Sequence, residues 1–308
     1  MKYDLGALAA RIGNMAFRRT GTGRRGTACL APWAWLLLVA GLLPAAPALA
    51  QQAPRLAHRA FIYWGYNRAQ YTASDIRFTG SGYDFTLHDV RASDKPEGFS
   101  VNNYFNPRNI WIPQYNYRAG WFLDQHWSLS LGLDHMKYVV DRGQRVLRTG
   151  YINAGRWPGQ AADNGEGELQ LEPEVLSYEH TDGLNLLSVD ADHYSLLRAS
   201  GTGRHGCWFT QGLFAGAMIP RTDVRLFGEG LNNKFHLAGY GVGAQLGLFA
   251  VLHERVFARA AVRAGFVDLP GVLTTGKSED RASQHFWFVE ENVVLGVLIG
   301  RGKEPATP

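Results

Sequence analysis

Cysteine is scarce in this chain, because its 308 residues include only Cys29 and Cys207. Cys29 lies in an N-terminal segment that we expect to be removed, which leaves Cys207 alone. A single cysteine cannot form an internal disulfide, and it excludes the cysteine clusters of common metal sites. The fold must therefore be stabilised by packing and hydrogen bonding.

Long apolar runs are also missing. After Gln51 no stretch approaches the roughly 18 apolar residues of a membrane-spanning helix, so a helical membrane protein is excluded. The most apolar run, residues 31–43, is too short to span a bilayer comfortably. It follows the basic pairs Arg18-Arg19 and Arg24-Arg25 and precedes Ala48-Leu49-Ala50, an order typical of a secretory signal peptide.

We therefore predict a signal peptide over residues 1–50 and a single mature domain over residues 51–308. A membrane-anchored N-terminus is the alternative, and Met15 is a second candidate start. The leader holds six of the 31 Lys and Arg residues and one of the 27 acidic residues. The remainder has 25 basic and 26 acidic residues and a net charge of −1, which excludes a nucleic-acid-binding class.

The most informative pattern is an alternation of apolar and polar residues over 236–267. Apolar side chains occupy every second position on both sides of a tight turn at 252–255. The opposite face carries glycines, Gln245, Arg259 and Arg263. Strands of soluble proteins average about 5–6 residues, whereas transmembrane strands need about 9–11, apolar outward and polar inward. The pattern predicts a hairpin whose outer face contacts lipid.

Similar alternation predicts further strands. A second hairpin covers 115–133 around a turn at 123–126, and the other candidates are 61–68, 83–90, 187–197, 208–219 and 286–299. Bacterial barrels have an even strand number, so we place a tenth strand in 99–112 or 169–178. The sequence thus predicts an all-β fold: a closed, antiparallel, up-and-down transmembrane β-barrel of about 10 strands, within a range of about 8–12.

The connections between these strands alternate in length. Short turns are expected at 123–126, 200–206 and 252–255, and longer loops at 140–184, 220–234 and 268–284. In outer-membrane barrels the short turns are periplasmic and the long loops extracellular. The long loops are polar and glycine-rich, as in the ADNGEGE segment at 162–168, and such backbone cannot lie in lipid.

Two segments carry a family resemblance. The stretch IPQYNYRAGWF at 112–122 and the stretch LGLDHMKY at 131–138 resemble an uncharacterised family of bacterial outer-membrane β-barrel proteins. The resemblance covers most of the mature chain and implies a barrel in the outer membrane, without implying an activity. One feature departs from the family pattern: many such barrels end on an aromatic residue, whereas a polar tail, 301–308, ends this chain.

Charges of both signs fall on the predicted inward faces. They are Arg118, Asp134, Asp190, Asp192, Arg259, Arg263 and Glu290. A small barrel is just wide enough for side chains to fill it, and an unpaired buried charge costs several kcal/mol. We therefore expect a salt-bridge network, with Glu290 as a partner of Arg259 and Arg263. The alternative is a selective pore lined by arginines, although open porins have about 16 strands or more.

A weaker candidate for chemistry is His180. Its segment, YEHTDGLN at 178–185, faintly resembles the His-x-Ser-Asn-Gly stretch of outer-membrane lipid hydrolases, in which a histidine activates a serine. Asp182 stands where that serine would be, so Ser188 or Ser195 would have to supply the hydroxyl. A turn formed by Asp182-Gly183 is the simpler interpretation.

The remaining patterns define what we expect of the function. The histidines show no metal-ligand spacing, so we predict no metal and no other cofactor. We predict a non-enzymatic barrel of the bacterial outer membrane with a structural, adhesive or small-solute role. Its expected partners are outer-membrane lipid and the barrel-insertion machinery. The alternatives are a lipid or lipopolysaccharide hydrolase that uses His180, and a soluble lipocalin-like barrel with its apolar face inward.

Overall fold

A computed structural model describes residues 53–157, 161–230 and 234–300. The predicted signal peptide and the polar C-terminal tail lie outside the described residues. Within these ranges no helix has the length and apolar character needed to cross a membrane.

The described chain consists almost entirely of antiparallel strands with one short helix. The elements are β1 (Ala60–Tyr71), β2 (Ser74–Gly80), β3 (Tyr83–Val90), β4 (Ala92–Ser93), α1 (Val101–Phe105), β5 (Tyr115–Phe122), β6 (Trp127–Met136), β7 (Val139–Val140), β8 (Arg145–Ile152), β9 (Asp163–Gln170), β10 (Leu176–Glu179), β11 (Leu184–Ala199), β12 (Gly206–Met218), β13 (Asp223–Leu226), β14 (Glu229–Gly230), β15 (Gly239–His253), β16 (Val256–Leu273) and β17 (Arg281–Ile299).

Eight of these strands pair in a ring, in the order β1, β5, β6, β11, β12, β15, β16 and β17. β17 returns to β1 along the whole of β1, from Ala60 opposite Ile299 to Tyr71 opposite Phe288. The two predicted hairpins are confirmed as β5–β6 and β15–β16, with turns where the sequence indicated them. The seam between β1 and β17 is therefore paired along the whole length of β1.

The other strands extend beyond the ring. The first residues of β17 pair with β2 instead of β1, and this starts a ribbon in the order β2, β3, β8 and β9. A second sheet has the order β14, β13, β10, β7 and β4. Its three central strands adjoin ring strands along the chain: β7 follows β6, β10 precedes β11, and β13 follows β12. Both extensions thus begin at the end of the ring that carries the long connections, which we call the long-loop end.

The strand count of about ten was wrong: the described ranges contain 17 strands, and the ring contains eight of them. Residues 83–90 form a strand as expected, but β3 pairs with β2 and β8 outside the ring. Neither candidate for a tenth strand contributes to the ring, since 99–112 contains α1 and 169–178 contains only the ends of β9 and β10. The segment at 162–168, expected as a loop, forms most of β9. β9 is an exposed edge strand that pairs with β8 alone. Charged residues and glycine are tolerated there because neither face of the strand is buried.

The opposite end of the ring, the short-turn end, is tied together by backbone hydrogen bonds. The amide of Glu254 donates to Arg204 O at 2.9 Å, which joins two neighbouring turns. The chain that enters β1 closes over this end, because the amide of Leu56 donates to Gln125 Oε1 at 2.9 Å. Gln125 in turn donates to Pro54 O at 3.0 Å. The entering segment is therefore part of the fold.

The outer face of the ring is apolar. Large exposed side chains project from every ring strand; among them are Ile62, Tyr117, Trp121, Trp127, Leu129, Leu131, Leu187, Val189, Leu213, Tyr240, Val242, Leu246, Val256, Trp287, Val289, Val293, Leu295 and Val297. In β17, for example, buried and exposed residues alternate without interruption from Phe286 to Glu290. So large an exposed apolar area is rare on monomeric soluble proteins and marks an interaction surface.

Candidate functional site: an ionic layer inside the ring

The inward faces of the ring strands share one order of side chains. Near the short-turn end lies an apolar cluster made of Leu56, Phe61, Tyr63, Phe122, Tyr194, Trp208, Phe249, Val251, Phe257, Val294 and Leu298. Toward the long-loop end a larger cluster includes Leu186, Phe214, Met218, Val267, Phe286 and Phe288 and continues into the extending sheets. Polar and charged residues separate the two clusters, and we call them the ionic layer.

The strand sequences produce this order directly. Along β11 the inward positions are Leu186, then Ser188, Asp190 and Asp192, then Tyr194. Because alternate side chains of a strand share a face, the seven residues between Leu186 and Tyr194 place three polar groups on the inward face. The inward face of β16 follows the same order from Phe257 to Val267.

Arg118 lies at the centre of the ionic layer, with its side chain fully buried. It donates through Nη2 to Asp134 Oδ2 at 2.6 Å and through Nε to Asp190 Oδ2 at 3.0 Å. The hydroxyl of Ser188 donates to the other oxygen of Asp190 at 2.6 Å. Charge-assisted bonds of this kind are stronger than neutral ones.

Arg263 uses the same two carboxylates from the other side of the ring. Its Nη1 lies 2.7 Å from Asp190 Oδ2, and its Nη2 lies 3.2 Å from Asp134 Oδ2. Nη1 also donates to Gln245 Oε1 at 2.9 Å. The guanidinium carbon is 4.0 Å from the centre of the Phe214 ring, at the boundary with the apolar cluster of the long-loop end. Two arginines and two aspartates thus form one buried group.

Arg259 and Asp192 form a neighbouring pair, with Arg259 Nη1 3.3 Å from Asp192 Oδ2. Nη1 also donates to the Tyr63 hydroxyl at 3.2 Å. Gln245 connects this pair to the first group, because its Nε2 donates to Asp192 Oδ1 at 2.8 Å. Six of the seven charged residues predicted to face inward are therefore linked in one network.

Glu290 is the seventh, and its expected partnership with Arg259 and Arg263 was wrong. Its side chain is buried inside the ring, and it lies opposite Arg263 in the strand register. In the described structure, however, no arginine is within ion-pair distance of it, and its contact is a long 3.5 Å bond from Asn292. The guanidinium of Arg263 points instead toward Asp134 and Asp190. It forms three contacts there, one with each aspartate and one with Gln245.

Glycine makes room for the network at one crowded position. A Cβ on Gly132 would lie 2.1 Å from Arg118 Cδ and 2.2 Å from the carbonyl oxygen of Tyr117. The Arg118 side chain therefore crosses directly over this glycine. Strand alternation puts Gly132 on the inward face of β6, but neither its contact with Arg118 nor the contribution of Tyr63 follows from the sequence alone. Cross-strand register, which the sequence does not state, decides both.

His180 is fully buried beside Tyr138 and Tyr178, outside the ring. Its Nδ1 lies 2.8 Å from the hydroxyl of Thr222, and burial lowers its pKa to about 3. The two candidate serines are engaged elsewhere: Ser188 with Asp190 and Ser195 with His193. Among the described residues, no serine and no acidic side chain forms a hydrogen bond with His180, and its imidazole is buried from solvent.

His135, the chain neighbour of Asp134, is engaged in packing as well. Asp134 and His135 point apart, as adjacent strand residues must: His135 stacks on Tyr115 with ring centres 4.8 Å apart and bonds to Asn185 at 2.9 Å. Within the part of the chain that is described, no three His, Cys, Asp or Glu side chains are grouped as metal ligands would be.

Comparison with known proteins gives distant likenesses only. The chain matches no family model and no curated protein. Its fold is similar to the outer membrane protein OprG of Pseudomonas aeruginosa, with 9% identity, 81% of this chain and 99% of that chain covered, and a TM-score of 0.37. It is also similar to Neisserial surface protein A, with 9% identity, coverage of 77% and 96%, and a TM-score of 0.31. For Ail of Yersinia pestis the values are 9%, 77%, 99% and 0.26. Overlaps this low carry no argument about the function of this chain.

Proposed function

We propose that this chain is an integral β-barrel of the bacterial outer membrane. In this proposal the ring is a closed, non-conducting membrane anchor, and the extending sheets form a rigid extracellular platform with a structural or adhesive role. The observation that carries the proposal is the arrangement of the ring: apolar outside, and filled inside by two apolar clusters and an ionic layer.

The outer face supports a lipid environment. Its alternation of exposed apolar and buried residues is the pattern expected of strands that face hydrocarbon on one side. Closure of the ring supports it further, because a membrane tolerates a sheet only when every backbone group is paired within it. The soluble lipocalin-like alternative requires the opposite orientation of the apolar face.

The filled interior supports a non-conducting anchor. Arg118, Asp134, Asp190 and Arg263 are at most about 1% exposed, and apolar clusters cover them on both sides along the ring axis. A pore lined by arginines would leave these groups hydrated, whereas here their charges are neutralised by one another. The structural or adhesive role is therefore favoured over the passage of small solutes.

The platform is held together by contacts among separate connections. Arg156, which follows β8, lies 2.8 Å from Glu229 in β14 and 3.0 Å from Asp280 before β17. Its guanidinium carbon also lies 4.4 Å from the centre of the Trp157 ring. An ion pair with a stacked aromatic ring holds three connections in one geometry. A surface fixed in this way is suited to binding a partner without reorganisation.

Cysteine labelling in intact cells tests the location and orientation together. In a Cys207→Ala background, Glu166→Cys in β9 is expected to react with a membrane-impermeant maleimide added outside. The matched variant Thr202→Cys, in a short turn, is expected to react only after the outer membrane is permeabilised. Both residues are exposed, so solvent access in the fold is not the variable. Labelling of residue 202 and not residue 166 in intact cells would overturn the orientation, and extraction of the protein by carbonate would overturn the barrel.

A further inference from the structure

The connection between β4 and β5 carries an unusual set of exposed apolar side chains. They are Phe99, Val101, Phe105, Trp111 and Ile112, and Phe99 and Val101 are 75% and 70% exposed. They lie within 14 residues of one another, interleaved with Asn102, Asn103 and Asn106. We call residues 97–112 the apolar arm. On a loop surrounded by water, the exposure of so many apolar side chains would cost free energy.

The apolar arm is fixed to the outer face of the ring, not to its interior. Tyr104 of α1 is its buried anchor: its ring lies 4.7 Å from that of Tyr66, an outward residue of β1. The outward Arg68 donates to the Tyr104 hydroxyl at 2.6 Å. At the far end of the arm the ring of Trp111 lies 5.4 Å from that of Tyr115, the first residue of β5.

These anchors make the arm continuous with the apolar outer face of the ring. Tyr66 pairs with Val293 and Tyr115 in the register, and Val293 is among the exposed apolar side chains. On β17 the charged Glu291 stands opposite Arg68, one step beyond Val293 toward the long-loop end. The arm therefore lies at the rim, where apolar strand residues give way to charge.

We propose that the apolar arm inserts into the outer leaflet and is covered by the acyl chains of its lipids. This inference rests on the proposed function, since it assumes that the ring is in the membrane. Amphipathic helices that lie in the membrane interface bury their apolar side chains to about 5–10 Å, and the arm has a comparable mixture of exposed apolar and polar side chains. Aromatic residues such as Trp111 are favoured at that depth. The arm fixes the depth of the barrel by adding a lateral contact at its rim.

Site-specific fluorescence in proteoliposomes tests the proposal. In a Cys207→Ala background, an environment-sensitive nitrobenzoxadiazole probe is attached at Phe105→Cys. The matched positions are Leu213→Cys, on the outer face of the ring, and Glu166→Cys, on the exposed edge of the platform. Quenching is measured with spin-labelled phosphatidylcholine in the bilayer and with iodide in the water.

The expected result is that the probe at residue 105 is quenched by the spin-labelled lipid at least half as strongly as the probe at residue 213. Its iodide quenching should be less than half of that at residue 166. Strong iodide quenching without lipid quenching at residue 105 would overturn the inference. Shielding of residue 105 from both quenchers would also overturn it, in favour of a protein occupant such as a second copy. Absence of lipid quenching at residue 213 would instead reject the proposed function itself.

Discussion

Asp190 provides the most demanding test of the ionic layer. Its Oδ2 lies 3.0 Å from Arg118 Nε and 2.7 Å from Arg263 Nη1, and all three side chains are almost fully buried. Asp190→Asn keeps the size of the side chain but removes the charge that both arginines share. Removing one partner of a buried pair costs about 3–5 kcal/mol, because the remaining charge stays buried. We therefore expect the free energy of unfolding to fall by about that amount.

Glu290→Gln is the matched control for this variant. It removes a carboxylate from the same layer, at similar burial, but from a residue that forms no ion pair with an arginine in the described structure. Because an unpaired charge is costly to bury, this change is expected to be neutral or stabilising. Urea unfolding in detergent or vesicles, followed by tryptophan fluorescence, measures both variants. Equal effects of the two substitutions, or a loss below about 1 kcal/mol for Asp190→Asn, would show that the shared carboxylate does not stabilise the two arginines.

Three further predictions concern other parts of the molecule. Gly132→Ala should cost about 1–3 kcal/mol in the same unfolding assay because it displaces Arg118, whereas Gly201→Ala, with open space around it, should not. The buried imidazole of His180, which lies outside the ring of strands, should stay neutral in an NMR titration from pH 8 to about 4.5, because its pKa is about 3. A histidine in the unfolded chain titrates near 6.5. The contribution of His180 to stability should therefore be complete above about pH 6.5 and be lost as the pH falls toward 3; titration of this residue near neutrality would contradict the burial argument. Arg156→Ala should speed proteolysis of the platform connections without changing the barrel's mobility on unheated gels; unchanged cleavage would show that the contacts of Arg156 do not hold these connections together.

The inward and outward faces of the ring strands could be predicted from sequence because side chains alternate strictly along a strand. Arg259 and Arg263 needed only the alternation of β16 to be placed inside. Their partners needed more, since contacts across the ring depend on the register between strands. Glu290 illustrates this: it lies opposite Arg263, yet Arg263 bonds across the ring to Asp190 and Asp134.

The extending sheets were the part that local sequence could not separate from the ring. β3 has the same alternation as a barrel strand, with Tyr83, Phe85 and Leu87 on its buried face. It packs on the core of the platform instead, and only its pairing with β2 and β8 reveals this. β9 carries no apolar alternation because its two faces are exposed, so composition alone indicates a loop.

Conductance in planar lipid bilayers distinguishes a membrane barrel with a filled interior from an open pore. Protein inserted into the bilayer, with insertion verified by fluorescence of a label on residue 166, is expected to give no steady channel current across a wide voltage range. Asp190→Asn should remain silent as well, because the apolar clusters on both sides of the ionic layer are unchanged. Discrete, steady conductance steps from the labelled protein that keeps Asp190 would show an open pore instead.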